Sequence, residues 1–191
     1  MKKFLVSFAM LGLLSLPLFA QDHGGAADKA EVFGGYQYLH LGSNSTIGLD
    51  SQGFNGWDTS AQYNFNHFMG VQGDFSGTYA TISGVSTHVY TYAGGPVVFA
   101  NVGRIKPFAH VLFGGTKLGE SESGVSASWN GYTLMFGGGV DAQVKGPLAI
   151  RLAQVDWLYY HFGAKTIQSI SVPSFSGSNN VRIVSGLVVR F

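Results

Sequence analysis

Apolar and polar residues alternate with a period of two along most of the chain, and this pattern predicts β-strands. Residues 181–191 give the clearest example, because one face is almost entirely apolar and the other carries two arginines. The apolar face consists of Val181, Ile183, Ser185, Leu187, Val189 and Phe191, and the opposite face of Arg182, Val184, Gly186, Val188 and Arg190. Residues 53–65, 68–80 and 132–143 alternate in the same way, with Asp, Gln or Asn on the polar face.

Four further segments are strand-like with a less regular alternation, namely residues 31–41, 85–100, 107–118 and 148–160. The chain then has eight strands of about ten residues or more, a length that crosses a bilayer at a tilt. An even number of antiparallel strands can close with both chain ends on one side. The pattern therefore predicts an all-β fold, an eight-stranded antiparallel up-and-down transmembrane β-barrel.

The connections between these strands alternate between short and long, which predicts an orientation. Short turns are expected at residues 66–67, 101–106 and 145–146. The other connections are residues 42–52, 81–84, 119–128 and 161–179; all but the second are long, and they are rich in Ser, Gly and Asn. Outer-membrane barrels have short periplasmic turns and long external loops. The long loops are therefore expected outside the cell, where they could contact a surface ligand.

The N-terminal residues read as a targeting segment. Lys2 and Lys3 precede an apolar stretch over residues 4–16, and Pro17 and Ala20 follow it. This is the layout of a secretory signal peptide, and the apolar stretch is too short for a membrane anchor. We therefore expect a signal peptide over residues 1–20, a flexible N-terminal segment over residues 21–29 and an outer-membrane β-barrel domain over residues 30–191.

Composition narrows the possible functions. The 191 residues include 28 Gly and no Cys, only 11% are charged, and the formal net charge is +1. The small net charge argues against nucleic acid as a partner, because such proteins carry clustered Lys and Arg. The absence of Cys excludes a disulfide scaffold, a thiolate zinc site and a Cys nucleophile.

Several segments together resemble one family, the small eight-stranded outer-membrane β-barrel proteins of the OmpA/OmpX-like porin family. They are residues 31–38, 106–115, 137–141 and 151–157 and the terminal Phe191. The resemblance implies an integral protein of the outer membrane of a Gram-negative-type bacterium, with outer-membrane lipid around it. It also implies that Phe191, Val189 and Leu187 form the C-terminal signal read by the barrel-assembly machinery.

Charged residues on the polar faces are the candidate site. Asp141 and Arg151 flank the turn at residues 145–146, and a three-residue loop would pair them across the strands. Arg182, Arg190 and Asp156 are the other candidate lumen charges. They can form interior ion pairs that fix the register, or they can form a gate or ion-binding site. An eight-stranded barrel is only just wide enough for its own side chains, so a permanent aqueous pore is not expected.

Catalytic, metal and cofactor signatures are not found in the sequence. The six histidines lack metal-site spacing, and none is followed two residues later by Ser, the arrangement of lipid A deacylase barrels. Gly137, Gly138 and Gly139 lack the Lys and helix of a phosphate loop, so they indicate close backbone packing or strand coiling inside a small barrel. We therefore expect no catalytic residues, no metal and no cofactor.

Several functions are compatible with these observations. The first is a structural, envelope or surface-interaction role without catalysis, which the resemblance implies. The second is a small channel or porin-like transport protein, which would need an open lumen. The third is a lipid-modifying outer-membrane enzyme. A secreted lipocalin-like barrel with its apolar faces turned inward is the soluble alternative, because alternation alone does not distinguish inside from outside.

Overall fold

The computed structural model describes residues 28–43, 50–82, 85–122, 125–167, 170–172 and 174–191. The predicted signal peptide and most of the predicted N-terminal segment lie outside these residues. In the described part of the chain, no helix is long and apolar enough to span a membrane. The regular elements there are strands connected by turns and irregular segments.

Eight long strands close into an antiparallel barrel with the order β1-β10-β7-β6-β5-β4-β3-β2. Sequential strands are neighbours, and β1 closes the barrel against β10. The two short strands β8 and β9 form a separate hairpin. The strands are β1 (Ala30–Leu41), β2 (Gln52–Asn64), β3 (Met69–Ile82), β4 (Val85–Phe99), β5 (Ile105–Glu122), β6 (Val125–Lys145), β7 (Leu148–Phe162), β8 (Lys165–Ile167), β9 (Ile170–Val172) and β10 (Phe175–Arg190). This architecture confirms the predicted fold class.

The two ends of the barrel differ in their connections. The turn end carries the short connections at residues 65–68, 100–104 and 146–147, together with both ends of the barrel domain. The opposite, loop end carries the other connections. The connection predicted as long over residues 119–128 is mostly strand, so that prediction was wrong, whereas the long connection predicted over residues 161–179 contains a short hairpin. The β5–β6 ladder continues to Glu122 and Val125, and residues 161–179 contain β8 and β9. Backbone pairing needs no apolar face, so the polar composition of these segments did not reveal their strands.

The alternation predicted for the strands is present in the structure. In β10, Arg182, Val184 and Val188 are buried inside the barrel, whereas Ile183 and Leu187 point outward and are exposed. The outward face of the wall is therefore strongly apolar. Its large exposed side chains come from all eight barrel strands and include Tyr36, Trp57, Val71, Phe75, Tyr92, Val111, Phe113, Phe136, Leu152, Val155, Ile183 and Leu187.

A β-bulge in β7 explains the irregular alternation of that strand. Gln154 pairs with Val184 and Arg151 pairs with Gly186, so two residues, Leu152 and Ala153, lie opposite the single Ser185 of β10. The register against β6 shifts at the same place. An extra residue in a strand reverses the inward parity beyond it. As a result Arg151 and Gln154, three positions apart, both point into the lumen, and Arg151 donates a 2.6 Å hydrogen bond to Gln154.

The lumen is divided into two halves of different chemistry. Towards the loop end it holds an apolar cluster together with uncharged polar side chains such as Thr87 and Asn180. The cluster consists of Leu39, Phe54, Val89, Leu112, Met135, Leu158, Tyr160 and Phe162. Towards the turn end it contains the buried charges described below. The sequence predicted a polar lumen, so the apolar half is a correction. It was missed because polar and apolar residues both occur at the inward positions of the same strand, so the alternation there is less regular.

Candidate functional site

One arginine holds three carboxylates together in the middle of the lumen. Arg182 from β10 donates 2.6 Å from Nη1 to Asp58 Oδ2 and 2.9 Å from Nη1 to Asp74 Oδ1. Its Nη2 donates to Asp74 Oδ2 at 3.0 Å, and its Nε donates to Asp156 Oδ2 at 2.7 Å. All four side chains are almost inaccessible to solvent. Strands β2, β3, β7 and β10 are therefore joined across the barrel by one guanidinium group.

A histidine extends this cluster to a fifth strand. His110 from β5 has Nε2 at 2.9 Å from Asp156 Oδ1 and Nδ1 at 3.2 Å from Gln72 Oε1. His110 therefore links Asp156 of β7 to Gln72 of β3 through its two ring nitrogens.

The second ion pair lies nearer the turn end. Arg151 donates from Nε to Asp141 Oδ1 at 2.8 Å and from Nη2 to Asp141 Oδ2 at 3.2 Å. Its guanidinium carbon lies 4.4 Å from the ring centroid of Phe33 and 4.3 Å from that of Phe108. The bidentate geometry and the two aromatic faces fix this side chain in one position.

The turn-end mouth contains the third group of charges. Lys106 forms a buried ion pair with Glu31, and Arg190 donates from Nη1 to Gln143 Oε1 at 2.5 Å. Arg190 is also close to two carboxylates, with 3.5 Å from Nε to Glu31 Oε2 and 3.6 Å from Nη2 to Asp141 Oδ2. The mouth is therefore linked to the Asp141–Arg151 pair immediately above it.

These charges nearly balance within the lumen. The buried acidic residues are Glu31, Asp58, Asp74, Asp141 and Asp156, and the buried basic residues are Lys106, Arg151, Arg182 and Arg190. Such pairing offsets part of the cost of removing the charges from water. Within the described residues, no three His, Asp or Glu side chains are placed to share a metal ion.

The structure places all five sequence-predicted lumen charges inside the barrel, but in separate groups. Asp141 and Arg151 are direct cross-strand partners. The turn between them has two residues rather than three, and a bulge that skips Val144 supplies the extra residue. Asp156 and Arg182 form another group, and Arg190 lies at the mouth.

Sequence reasoning did not single out the other members of these groups, which are Asp58, Asp74, His110, Glu31 and Lys106. Asp58 and Asp74 lie on polar faces that the alternation identified, so their inward direction could have been predicted from the sequence. His110 and Lys106 share the inward parity of β5, where the mixture of apolar and polar residues hid the pattern.

Two glycines of β6 make room for the lumen groups. A Cβ on Gly137 would lie 2.0 Å from Asp156 Oδ1 and 2.5 Å from the carbonyl oxygen of Val155. A Cβ on Gly139 would lie 2.5 Å from the carbonyl oxygen of Ala153 and 2.9 Å from the Phe108 ring. Close packing is therefore what this part of the glycine run provides, as the sequence predicted.

Gly137→Ala is expected to lower the free energy of unfolding by about 1–3 kcal/mol, because the new methyl group overlaps backbone as well as Asp156. Gly73→Ala is the matched control, since a Cβ on Gly73 has no atom within 4 Å. Urea unfolding in lipid vesicles, followed by tryptophan fluorescence, measures both. An equal loss in the two variants would contradict the role assigned to Gly137.

A serine and a histidine meet on the outer surface near the loop end. Ser176 Oγ lies 2.8 Å from His161 Nδ1 and 3.1 Å from the hydroxyl of Tyr159, and the His161 ring stacks on Tyr132 at 4.8 Å. The sequence search for Ser two residues after His missed this cross-strand pair. Its contacts belong to the ring of aromatic side chains around the wall, and a structural role accounts for them.

The C-terminal residue closes the barrel at the turn end. Phe191 donates from its backbone nitrogen to the Ala30 carbonyl at 2.8 Å, and its own carbonyl accepts a bond of 2.7 Å from Lys29. Phe191 is partly exposed, and Leu187 is exposed on the outward face of β10. Val189, between them, pairs with Val32 across the seam of the barrel.

An eight-stranded antiparallel barrel with an apolar outer wall and a lumen filled by paired charges has the architecture of small outer-membrane β-barrel proteins. Solved structures of that class match this fold. Neisserial surface protein A has a TM-score of 0.64 at 14% identity, and the match covers 85% of this chain and 97% of that one. Ail, the attachment invasion locus protein of Yersinia pestis, has a TM-score of 0.56 at 18% identity, with coverages of 85% and 97%.

A third match is the N-terminal β-barrel domain of Pseudomonas aeruginosa OprF, with a TM-score of 0.55 at 7% identity and coverages of 86% and 98%. No family model matches the chain, and no curated protein matches it in sequence. At these identities the structural matches establish the fold alone.

Proposed function

We propose that this protein is an integral outer-membrane β-barrel with a structural or surface-interaction role and without catalysis. The observation that carries the proposal is the distribution of polarity, which is the reverse of that in a soluble protein. Charged side chains such as Arg182 and Asp156 are sealed inside, while large apolar side chains such as Phe75 and Val155 point outward from the wall. This distribution suits contact with lipid and not with water.

Aromatic residues near the loop end support a membrane location. Trp57 donates to the Tyr79 hydroxyl at 3.4 Å, and the hydroxyls of Tyr79 and Tyr90 lie 3.2 Å apart, all on the outer surface. Such side chains have an apolar ring and a polar tip and are enriched where hydrocarbon meets water. Residues beyond this ring would then face the exterior, and the turn end would face the periplasm.

The filled lumen favours the structural role over transport. The Arg182 cluster links four strands across the barrel, and the apolar cluster around Leu112 and Met135 fills the loop-side half. A solute would have to separate buried ion pairs and then cross an apolar region. Two of the matching structures are named as a surface protein and an attachment protein, which favours a surface role for the loops of this chain.

Planar-bilayer recording of the refolded protein tests the proposal, with unboiled and boiled gel lanes confirming that the same sample is folded. We expect a faster-migrating folded band and no sustained open state, because the lumen is filled. A reproducible open conductance from folded protein would favour the channel alternative. A protein that stays soluble without detergent and shows no mobility shift would contradict the membrane location.

The same proposal implies how the barrel is assembled in the membrane. Phe191, Val189 and Leu187 would form the C-terminal signal, and the barrel-assembly machinery would be the transient partner. The place of these residues supports this, because β10 forms the closing seam with β1 and the side chains of Leu187 and Phe191 are exposed on its outward face.

A further inference from the structure

A pocket of about 270 Å³ opens at the turn end of the barrel. Three cationic side chains line it: Lys106 and Arg190, which point into the lumen, and Arg104, which is exposed on the turn between β4 and β5. Gln143 and Asp28 complete its polar wall.

Arg190 is the best indicator of a ligand in this pocket. Its side chain is only 7% exposed, yet Nε and Nη2 make no hydrogen bond with any described residue. The carboxylate oxygens of Glu31 and Asp141 stay 3.5 Å and 3.6 Å away. Buried donors on a charged group normally find an acceptor, so the pocket has unused donor capacity beside a fixed positive charge.

The acidic groups at the mouth leave this positive charge incompletely matched. Glu31 is engaged by Lys106, and Asp141 is engaged by Arg151. Asp28 is half exposed, and its Oδ2 lies 4.0 Å from Arg190 Nε. At that distance Asp28 makes no hydrogen bond with Arg190, so its carboxylate is a weak partner, and burial raises the pKa of Asp28 although Arg190 acts in the opposite direction.

We propose that this mouth pocket binds the phosphate group of a soluble molecule on the turn side of the membrane. Two guanidinium groups and an ammonium group supply the planar and point-charge donors that phosphate oxygens accept. The inward direction of Lys106 and Arg190 places the site inside the mouth and away from the surrounding lipid headgroups. Asp28 lies where a phosphate oxygen would approach Arg190, so it competes with the ligand.

Isothermal titration of the full-length barrel, folded in detergent micelles, with inorganic phosphate tests this site. Arg104→Gln should weaken binding about tenfold, the loss expected for one charge-assisted hydrogen bond. Asp28→Asn should tighten binding, because it removes the competing carboxylate. Lys145→Gln is the matched control and should leave the affinity unchanged, since Lys145 is an exposed turn-end cation that does not line the pocket.

Chloride at matched ionic strength and a short-chain phosphatidylglycerol are the two comparison ligands. We expect neither to displace phosphate. Equal displacement by chloride, equal weakening by Arg104→Gln and Lys145→Gln, or no measurable phosphate binding would overturn the proposal. Tighter binding of the lipid would overturn the soluble source and assign the pocket to headgroups. Gel mobility of each variant confirms that the barrel is folded before titration.

Discussion

Arg182→Gln is expected to lower the free energy of unfolding by about 3–5 kcal/mol, the usual cost of removing one partner from a buried ion pair. The substitution leaves Asp58, Asp74 and Asp156 close together without the guanidinium that holds them. Mutual repulsion and the loss of hydrogen bonds act in the same direction. Urea unfolding of refolded protein in lipid vesicles, with gel mobility as a second readout, measures the change.

Arg104→Gln is the control for Arg182→Gln, because Arg104 is exposed and stands in a turn. It should change the free energy of unfolding by no more than about 0.5 kcal/mol. Adding Asp74→Asn to Arg182→Gln should restore part of the loss, since one negative charge is removed from the cluster. If Arg182→Gln unfolds like the unaltered protein, the cluster does not stabilise the barrel.

Val155→Arg should cost about 2–4 kcal/mol in a bilayer, because it places a charge on the lipid-facing wall near the middle of β7. Val155 is about half exposed and lies beside Ile183 and Gly138. Urea unfolding of the refolded protein in lipid vesicles measures this change. In a soluble barrel an exposed position would tolerate arginine within about 0.5 kcal/mol.

Asn101→Arg is the control for Val155→Arg, because Asn101 is exposed in a turn outside the wall. It should leave the unfolding curve unchanged. Equal tolerance of the two substitutions would contradict the assignment of the outward face to lipid. A large effect of Val155→Arg alone would distinguish a membrane barrel from the lipocalin-like alternative.

Much of the fold could be predicted from local alternation. The strand containing Arg182 and Leu187 was assigned correctly because each residue's face follows from its parity alone. The extra residue at Leu152 could not be predicted, since nothing in the local sequence marks the position at which parity reverses. The β8–β9 hairpin was missed for a different reason, because each of its strands is only three residues long and too short to show an alternation.

The partners of the lumen charges depend on geometry that sequence spacing does not contain. Asp141 and Arg151 could be paired because they share a hairpin. Asp58 and Arg182 are separated by most of the chain, and they meet only when the strand stagger around the closed barrel is set. The apolar cluster in the lumen could not be predicted either, because the direction in which a side chain points does not determine whether it is polar.

The seam between β1 and β10 joins the first and last strands of the domain, with Glu31 opposite Arg190. This pairing has the greatest sequence separation in the barrel, so it adds strongly to the contact order and should slow folding. Until it forms, both strands are open edges whose unpaired backbone groups could pair with another chain. Slower pairing of β1 with β10 should therefore increase aggregation of this protein during folding.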